Sequence, residues 1–261
     1  MSENASPPTD RIQDPVYRTK LIDLPNIISD WVSQYRTLDS CEILDFGCGE
    51  ATSALGFALR PEIKQVVGID IMPDPDLCAP LARQHLGLSN LPAKLALHRV
   101  RPGTLHDPVD KFDLIYSWSV FEHIRQDLLP ATVQMLRMAL RPGGLLFVQI
   151  APLFYSSEGS HYFPQVPERW GHLVNQTDLY REKLAAAVGS EEHLRAALST
   201  YETLNRITAP ELVRVIQGGG FEILRDYRTR EDYETPPGLL TAYNEEALRT
   251  NQIVLLARSL G

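Results

Sequence analysis

Short apolar runs alternate with segments of helical periodicity along most of the chain. Seven runs rich in β-branched and large apolar residues predict strands: Glu42–Phe46, Gln65–Ile71, Lys94–Val100, Phe112–Ser117, Leu145–Ala151, Phe221–Arg225 and Gln252–Ala257. In several of them the apolar residues are continuous rather than alternating, which is typical of strands covered on both faces by helices. Strands of this kind, joined by helices through short connections, predict an α/β fold with a doubly wound, mostly parallel sheet.

Apolar stripes at helical spacing predict the helices between these strands. The first stripe predicts a helix over about residues 18–36 and consists of Leu24, Ile28, Trp31 and Tyr35. A second stripe runs from Leu129 to Leu140 and is followed by Pro142-Gly143-Gly144, where proline ends the helix and glycine allows a tight return. Thr208 and Glu211 have the spacing of a capping box and predict the start of a further helix.

One long stretch, residues 152–207, interrupts the alternation. It contains two predicted helices, near Thr177–Val188 and Glu191–Leu204, and no good strand. An insertion after the fifth strand is where folds of this kind build substrate pockets. We expect residues 1–17 to be a disordered or loosely ordered lead-in, because the start is polar and proline-containing, and residues 18–261 to form a single domain.

Composition narrows the classes of partner and location. The net charge is −8 and no Lys/Arg cluster stands out, which disfavours a nucleic-acid substrate. No apolar run approaches the roughly 18 residues of a membrane helix, so no membrane association is expected. Three cysteines without a CxxC pair favour a reducing, cytoplasmic location. The oligomeric state is not determined by the sequence, and a homodimer is one candidate.

The first predicted strand leads directly into Gly47-Cys48-Gly49 and then a helix. Such a glycine turn lets a ligand approach the backbone, although a purely structural tight turn is the alternative. Thr52 occupies the third glycine position of a dinucleotide fingerprint, which disfavours a nicotinamide site. Asp45 would repel a pyrophosphate but suits a cationic ligand. Asp70 ends the next strand, where it can bind both ribose hydroxyls or cap the following turn.

These residues carry a family resemblance over about residues 40–150. Ile43–Gly49 resembles the first motif of class I S-adenosylmethionine-dependent methyltransferases, and Asp70 matches the ribose-binding acid of their second motif. Phe112–Ser117, Glu122–Ile124 and Leu140–Leu146 look like their fourth strand, the helix after it and the turn before the fifth strand.

The resemblance implies S-adenosyl-L-methionine as the cofactor and a Rossmann-like, seven-stranded sheet of order 3-2-1-4-5-7-6 with an antiparallel seventh strand. It also implies a set of cofactor-binding residues: Asp45, Gly47, Cys48, Gly49, Asp70, Ile71, Ser117 and Trp118. For Trp118, core packing is the competing interpretation.

The sequence departs from the family pattern in two places. Ala51 stands where the family often has a third glycine, which affects how closely the helix start can approach the cofactor. The family also places an acidic or small polar residue after the third strand, in contact with adenine. The corresponding stretch here, Arg99–Asp107, offers Arg101 or Thr104, and the contact is left open.

The insertion is the only guide to the methyl acceptor. Four of its segments look like those of methyltransferases in bacterial glycan and secondary-metabolite pathways: Pro152–Ser156, Gly159–His161, Trp170–Leu173 and Thr203–Thr208. This looser resemblance implies O-methylation of a sugar, glycan or secondary-metabolite hydroxyl. The alternatives are N-methylation of a small amine and a catalytically silent binding or scaffold protein.

Two histidines of the insertion, His161 and His172, are the candidate catalytic bases. A structural hydrogen-bonding role is the alternative for each. We expect His123 to lie near the cofactor instead. A metal site built from His161, His172 and Asp178 would match no compact ligand motif, so no metal is predicted.

Overall fold

The computed structural model describes residues 12–105, 111–175 and 177–260. Its strands form a seven-stranded sheet of order β3-β2-β1-β4-β5-β7-β6, which confirms the predicted order. The strands are β1 (Glu42–Phe46), β2 (Gln65–Asp70), β3 (Leu95–Arg99), β4 (Phe112–Trp118), β5 (Leu140–Ile150), β6 (Phe221–Arg230) and β7 (Thr250–Ser259). All seven apolar runs of the sequence therefore become strands of one mixed, mostly parallel sheet.

The centre of the sheet is buried on both faces. β1 pairs in parallel with β2 and with β4, and β2 pairs in parallel with β3. The central apolar side chains have no exposed surface, as at Ile43, Val66 and Leu114. This burial explains why the apolar residues of these strands are continuous in the sequence. The register places Asp45 of β1 beside Tyr116 of β4.

Eleven α-helical segments are found in the residues that the structure describes. They are α1 (Pro15–Arg18), α2 (Leu24–Val32), α3 (Thr52–Ala58), α4 (Cys78–Leu86), α5 (Leu129–Ala139), α6 (Gly171–Val174), α7 (Thr177–Val188), α8 (Glu191–Thr203), α9 (Ala209–Gly218), α10 (Pro237–Ala242) and α11 (Glu245–Arg249). A π-helical turn, Thr19–Asp23, joins α1 to α2. The stripe predicted for α5 is buried, and α9 begins with the expected capping box at Thr208.

Helical structure begins earlier than predicted at the amino end. The expected lead-in ended at residue 17, and residues 1–11 lie outside the described part of the chain. α1 nevertheless starts at Pro15, because the Asp14 carboxylate accepts the N–H groups of Val16 and Tyr17 at 2.9 and 3.1 Å. The Tyr17 ring is buried and stacks on His85 with centroids 4.1 Å apart. Helix therefore begins three residues before the predicted helix start at Arg18.

The turn predicted at Pro142-Gly143-Gly144 belongs to β5 in the structure, which starts at Leu140 directly after α5. Gly143 has a φ of +73°, so a local bend remains inside the strand. The Arg141 guanidinium holds this start in place by donating to Asp113 and to Glu42, both at 2.8 Å.

The described residues group into two compact units. Within the described residues, the first comprises residues 12–105 and 111–118, Gln134–Phe147 and residues 256–260, and the second comprises Ser119–Val133 and residues 148–175 and 177–255. The second unit contains the insertion, in which α7 and α8 match the two predicted helices and enclose an apolar cluster around Tyr180, Leu184 and Tyr201. Among the described residues, no helix has both the length and the apolar character that a membrane span requires.

Candidate functional site

The glycine loop of the first unit turns sharply between β1 and α3. Gly47 and Gly49 have φ angles of +79° and +52°. The backbone N–H groups of Gly47 and Cys48 both donate to the carbonyl of Ile69, at 2.9 and 3.0 Å. A side chain built at Gly49 would meet no atom within 4 Å. The two hydrogen bonds to Ile69 therefore hold the loop against β2, and the open space at Gly49 lets a ligand reach the backbone.

Asp70 binds the loop and the turn after β2 at the same time. One carboxylate oxygen accepts the Gly49 N–H at 2.8 Å, and the other accepts the Met72 N–H at 2.8 Å. Asp70 therefore does cap the turn that follows β2, as one of its two interpretations predicted. Each carboxylate oxygen can accept a second hydrogen bond, so a ribose diol can still be bound by the same group.

Asp45 lies deeper than its predicted role suggested. Its side chain is 2% exposed, and Oδ2 accepts hydrogen bonds from Tyr116 Oη at 2.6 Å and Ser53 Oγ at 2.9 Å. Burial raises the pKa of Asp45 to about 7, and the two hydroxyls offset part of that rise. A cation brought close to this carboxyl would favour its ionised form. The sequence offered no sign of the Tyr116 contact, because it depends on the register of β1 and β4.

The remaining predicted cofactor residues differ in what they contact. Cys48 is buried, its Sγ fills the space over Gly68, and burial raises the pKa of its thiol, so it stays protonated. Ser117 is fully buried and donates to the carbonyl of Phe46 at 3.0 Å. Trp118 stacks on Phe147 with centroids 6.1 Å apart, as its core-packing interpretation requires. Ile71 is 49% exposed and presents an apolar surface beside Asp70.

The stretch expected to contact adenine is only partly described. Arg101 and Thr104 are both exposed, and the Thr104 hydroxyl donates to the Arg101 carbonyl at 2.8 Å. His106 and Asp107 lie outside the described residues.

His161, in the second unit, has a defined tautomer. Its Nε2 lies 3.0 Å from the carbonyl of Pro152, which can only accept, so Nε2 carries the proton and the lone pair is on Nδ1. Burial lowers the pKa of His161 to about 4, and the ring meets His123 edge-on at 5.5 Å. The backbone here has a φ of +66°, which is uncommon outside glycine. His161 is thus a neutral imidazole over the whole neutral range.

His172 is surrounded by the core of the insertion. It is 7% exposed, its Nε2–H donates to the carbonyl of Phe154 at 2.6 Å, and its ring packs against Phe154 and Tyr180. Burial lowers its pKa to about 4 as well. These contacts are those of a structural histidine. Asp178, the third member of the conceivable metal site, is largely exposed, and the described part of the chain contains no metal-binding cluster of His, Cys, Asp or Glu.

Glu122 is a buried polar residue in the 3-10 turn Phe121–His123 after β4, and the sequence predicted no role for it. Its side chain is 3% exposed, and neither carboxyl oxygen has a hydrogen-bond partner in another described residue, although the N–H of Glu122 itself lies close enough to lower the carboxyl pKa a little. Burial raises its pKa to about 8. Its signal in the sequence was its place in Glu122–Ile124, which resembles the family's segment after the fourth strand and to which no role was assigned.

The sequence profile described as a methyltransferase domain matches residues 22–225. The chain belongs to the methyltransferase-domain family. The predicted membership of the class I S-adenosylmethionine-dependent methyltransferases is thereby confirmed, and so is S-adenosylmethionine as the cofactor that goes with this domain. The open glycine loop and the lone pairs of Asp70 fit such a cofactor. No curated protein sequence matches the chain significantly.

Several solved structures share this fold at low sequence identity. Magnesium protoporphyrin IX methyltransferase from Synechocystis PCC 6803, with bound S-adenosylhomocysteine, is 13% identical, with a TM-score of 0.52 over 93% of this chain and 85% of that one. An S-adenosylmethionine-dependent methyltransferase from Mesorhizobium loti is 18% identical, with a TM-score of 0.51 over 87% and 94%. The [4+2]-cyclase SpnF is also 18% identical, with a TM-score of 0.54 over 90% and 80%.

Proposed function

We propose that the chain is an S-adenosylmethionine-dependent methyltransferase that O-methylates a small polar molecule, such as a sugar, a glycan unit or a secondary metabolite. The observation that carries the proposal is the Gly47–Gly49 loop, which is tied to Asp70 and open at Gly49. When bound, the cofactor supplies a methyl group activated on a cationic sulfur. The cysteines Cys41, Cys48 and Cys78 are free and buried, which supports the proposed cytoplasmic location.

The predicted cofactor-binding residues lie in the first unit, and we assign each of them a role. Asp70 accepts the ribose hydroxyls, and Ile71 offers an exposed apolar surface next to them. The backbone of Gly47, Cys48 and Gly49 lies along the methionine end of the cofactor. Asp45, held by Tyr116 and Ser53, supplies negative charge when a cation is near. Ser117 and Trp118 support the site indirectly. Ser117 bonds β4 to the end of β1 at Phe46, and Trp118 packs on Phe147 of β5.

His161 and His172 are the proposed acceptor-side groups of the second unit. The lone pair on Nδ1 of each ring can accept a hydrogen bond from an acceptor hydroxyl, since Nε2 is the protonated nitrogen in both. His161 is the stronger candidate because it is less buried than His172. His161→Ala should therefore slow turnover more than it weakens cofactor binding, whereas His172→Ala should mainly lower stability.

The second candidate function is a catalytically silent binding protein. The observation in its favour is the internal bonding of Asp45, whose Oδ2 already receives two hydroxyls. Similarity in fold to a cyclase adds that this architecture also occurs in a protein named for other chemistry.

Labelled methyl transfer separates these functions. The chain is incubated with S-adenosylmethionine labelled in its methyl group and with glycosides, phenols and small amines in turn. We expect label to enter a hydroxyl compound with stoichiometric release of S-adenosylhomocysteine. Labelling of amines alone would replace O- by N-methylation, and binding of the cofactor product without any transfer would favour the silent protein.

A further inference from the structure

The hydroxyl of Tyr17 is buried without a hydrogen-bond partner. The residue is 5% exposed, and its Oη has no partner among the described residues. The ring is nevertheless fixed, because it stacks on His85 with centroids 4.1 Å apart. Buried polar groups in folded proteins are almost always hydrogen-bonded, so the missing acceptor is a bound ligand or an ordered water.

This hydroxyl lies beside the end of the glycine loop. The Cys78 thiol and the Glu50 carboxylate both act on it electrostatically, and Glu50 follows Gly49 directly in the chain. Cys78 Sγ in turn donates to the carbonyl of Ala51, at 3.8 Å. All of these residues belong to the first unit. The unpartnered hydroxyl is therefore close to the open space at which a ligand can reach the loop.

Contacts along the amino-terminal segment hold Tyr17 at this place. Lys20 Nζ lies 3.2 Å from the Glu50 carboxylate. The backbone of Leu21 passes so close to Gly56 of α3 that no side chain would fit there. Both Lys20 and Leu21 belong to the π-helical turn Thr19–Asp23, and π-helical turns occur frequently at functional sites. The segment that carries Tyr17 is thus packed against the helix that follows the glycine loop.

A second unpartnered hydroxyl lies at the same end of the loop. Thr52 is the first residue of α3 and follows Ala51 directly. It is 3% exposed, and its Oγ1 has no hydrogen-bond partner in the part of the chain that the structure describes. Two buried hydroxyl donors beside the open backbone of Gly49 indicate a ligand group with two acceptor oxygens.

The charges around these hydroxyls suit a carboxylate. Burial raises the pKa of the Tyr17 hydroxyl well above its usual value, and Cys78 and Glu50 add to the rise, so the hydroxyl stays protonated and can donate. The Lys20 ammonium offsets the negative charge of Glu50. S-Adenosylmethionine carries one carboxylate, at its amino-acid end, and hydrogen bonds to such an ionised acceptor are the strong ones.

We propose that the hydroxyls of Tyr17 and Thr52 donate hydrogen bonds to the carboxylate at the amino-acid end of the cofactor. This inference rests on the proposed function, in which the loop backbone lies along the methionine end and Asp70 accepts the ribose hydroxyls. Tyr17 is the last residue of the stretch that the sequence predicted as a lead-in. In the structure it selects for cofactors that carry a carboxylate.

Calorimetry with related ligands tests this contact. S-Adenosylhomocysteine carries the carboxylate, its decarboxylated analogue lacks only that group, and methylthioadenosine lacks the whole amino-acid end. Each ligand is titrated into the wild-type chain, into Tyr17→Phe and into Thr52→Val, which remove one hydroxyl and keep the shape of the side chain. Tyr180→Phe is the matched control, because it removes a buried hydroxyl of the second unit.

The two variants should lose affinity for one ligand only. Tyr17→Phe and Thr52→Val should each bind S-adenosylhomocysteine about tenfold or more weakly, the range expected for a lost hydrogen bond to a charged group. Both should bind the two carboxylate-free ligands as the wild type does, and Tyr180→Phe should bind all of them normally. An equal loss for all ligands would reveal a structural effect and overturn the proposal. Unchanged affinity for S-adenosylhomocysteine would assign the hydroxyl to an ordered water and overturn it as well.

The wild-type titrations keep this inference apart from the proposed function. Failure of the folded wild-type chain to bind S-adenosylhomocysteine contradicts the proposed function itself. If it binds, it should prefer S-adenosylhomocysteine to the decarboxylated analogue by more than about tenfold, since two hydrogen bonds to the carboxylate are lost together. Binding without that preference contradicts only this inference, whether or not the variants fold.

Discussion

Ala51 begins α3 with a φ of +56°, a left-handed conformation in which glycine is the favoured residue. Alanine thus adopts here the backbone conformation that the family's frequent glycine would favour. A left-handed alanine costs about 1–2 kcal/mol relative to the right-handed form. The surroundings tolerate this cost because Ala51 is fully buried and its N–H and C=O are both bonded within the turn and the helix.

This conformation predicts opposite effects of two substitutions. Ala51→Val should lower the free energy of unfolding by more than about 2 kcal/mol, because a β-branched residue is strained at positive φ and overfills a closed site. Ala51→Gly should change it by less than about 1 kcal/mol. Urea unfolding measures both, with Ala186→Val on the exposed face of α7 as the control for β-branching in a helix. Equal losses at positions 51 and 186 would contradict the assignment.

Asp45 predicts a pH dependence of stability. Its pKa is raised from 3.8 to about 7 in the folded chain, so the folded state binds more protons than the unfolded state between those values. The contribution of Asp45 is fully present below about pH 4 and is lost as the pH rises toward 7 and beyond. Asp45→Asn removes this titration. The stability of the variant relative to wild type should rise with pH across that window, by at most about 1.4 kcal/mol per pH unit.

Urea unfolding of both proteins from pH 4 to pH 8 measures the difference. Taking the difference cancels other titrating groups, including the histidines whose lowered pKa values act in the opposite direction. A constant difference across the range would show that Asp45 ionises normally.

At the scale of elements, the amino-terminal helices pack closely against α3 at a single glycine, Gly56. A side chain added at Gly56 of α3 would collide with the backbone carbonyl of Leu21, in the π-helical turn, and would press on Pro25. Lys20 also pairs with Glu50 at 3.2 Å, although such an exposed pair contributes little. The close backbone approach at Gly56 therefore determines how these helices lie on α3.

Gly56→Ala should be strongly destabilising, by about 2 kcal/mol or more, because backbone must move to admit the methyl group. Gly218→Ala in α9 is the matched control, since a side chain there meets no atom within 4 Å and alanine favours the helix. Thermal unfolding of both variants checks the prediction. Similar melting temperatures would mean that the helices can shift on α3 without cost.

The sequence predicted elements better than it predicted their ends. All seven strands were identified, and at the central strands β1, β2 and β4 burial on both faces makes the apolar runs continuous. The start of β5 at Leu140 was missed, because Pro142-Gly143-Gly144 has the composition of a turn. What keeps that segment in the sheet is Arg141, which bonds Glu42 of β1 and Asp113 of β4. Contacts between distant strands of this kind depend on register and leave no local pattern.

In the candidate site, too, the sequence predicted the residues better than it predicted their contacts. Gly47, Gly49 and Asp70 were identified from their order along the chain, and the Gly49–Asp70 hydrogen bond joins them in space. The partners of Asp45 could not be foreseen, because Tyr116 is brought there by the pairing of β1 with β4. Glu122 was identified only as part of the family-like segment Glu122–Ile124, and its burial was not foreseen because nothing in the sequence distinguishes a buried carboxyl from a surface one.

At the scale of the whole molecule, the two units divide the proposed work. The first unit contains the glycine loop and Asp70, and the second contains His161 and the insertion helices. Substitutions in one unit should therefore separate cofactor affinity from turnover. Because the proposed cofactor residues all lie in the first unit, cofactor binding can be measured on its own, before the acceptor is known.

Calorimetric titration with S-adenosylhomocysteine tests the central claim, that the loop at Gly47–Gly49 and Asp70 form a cofactor site. The wild-type chain should bind one equivalent. Asp70→Ala should bind at least about tenfold more weakly, since hydrogen bonds to a charged group contribute about 1.5–3 kcal/mol each, while circular dichroism shows the fold retained. Absence of binding by the folded wild-type chain, or equal affinity in Asp70→Ala, would contradict the account.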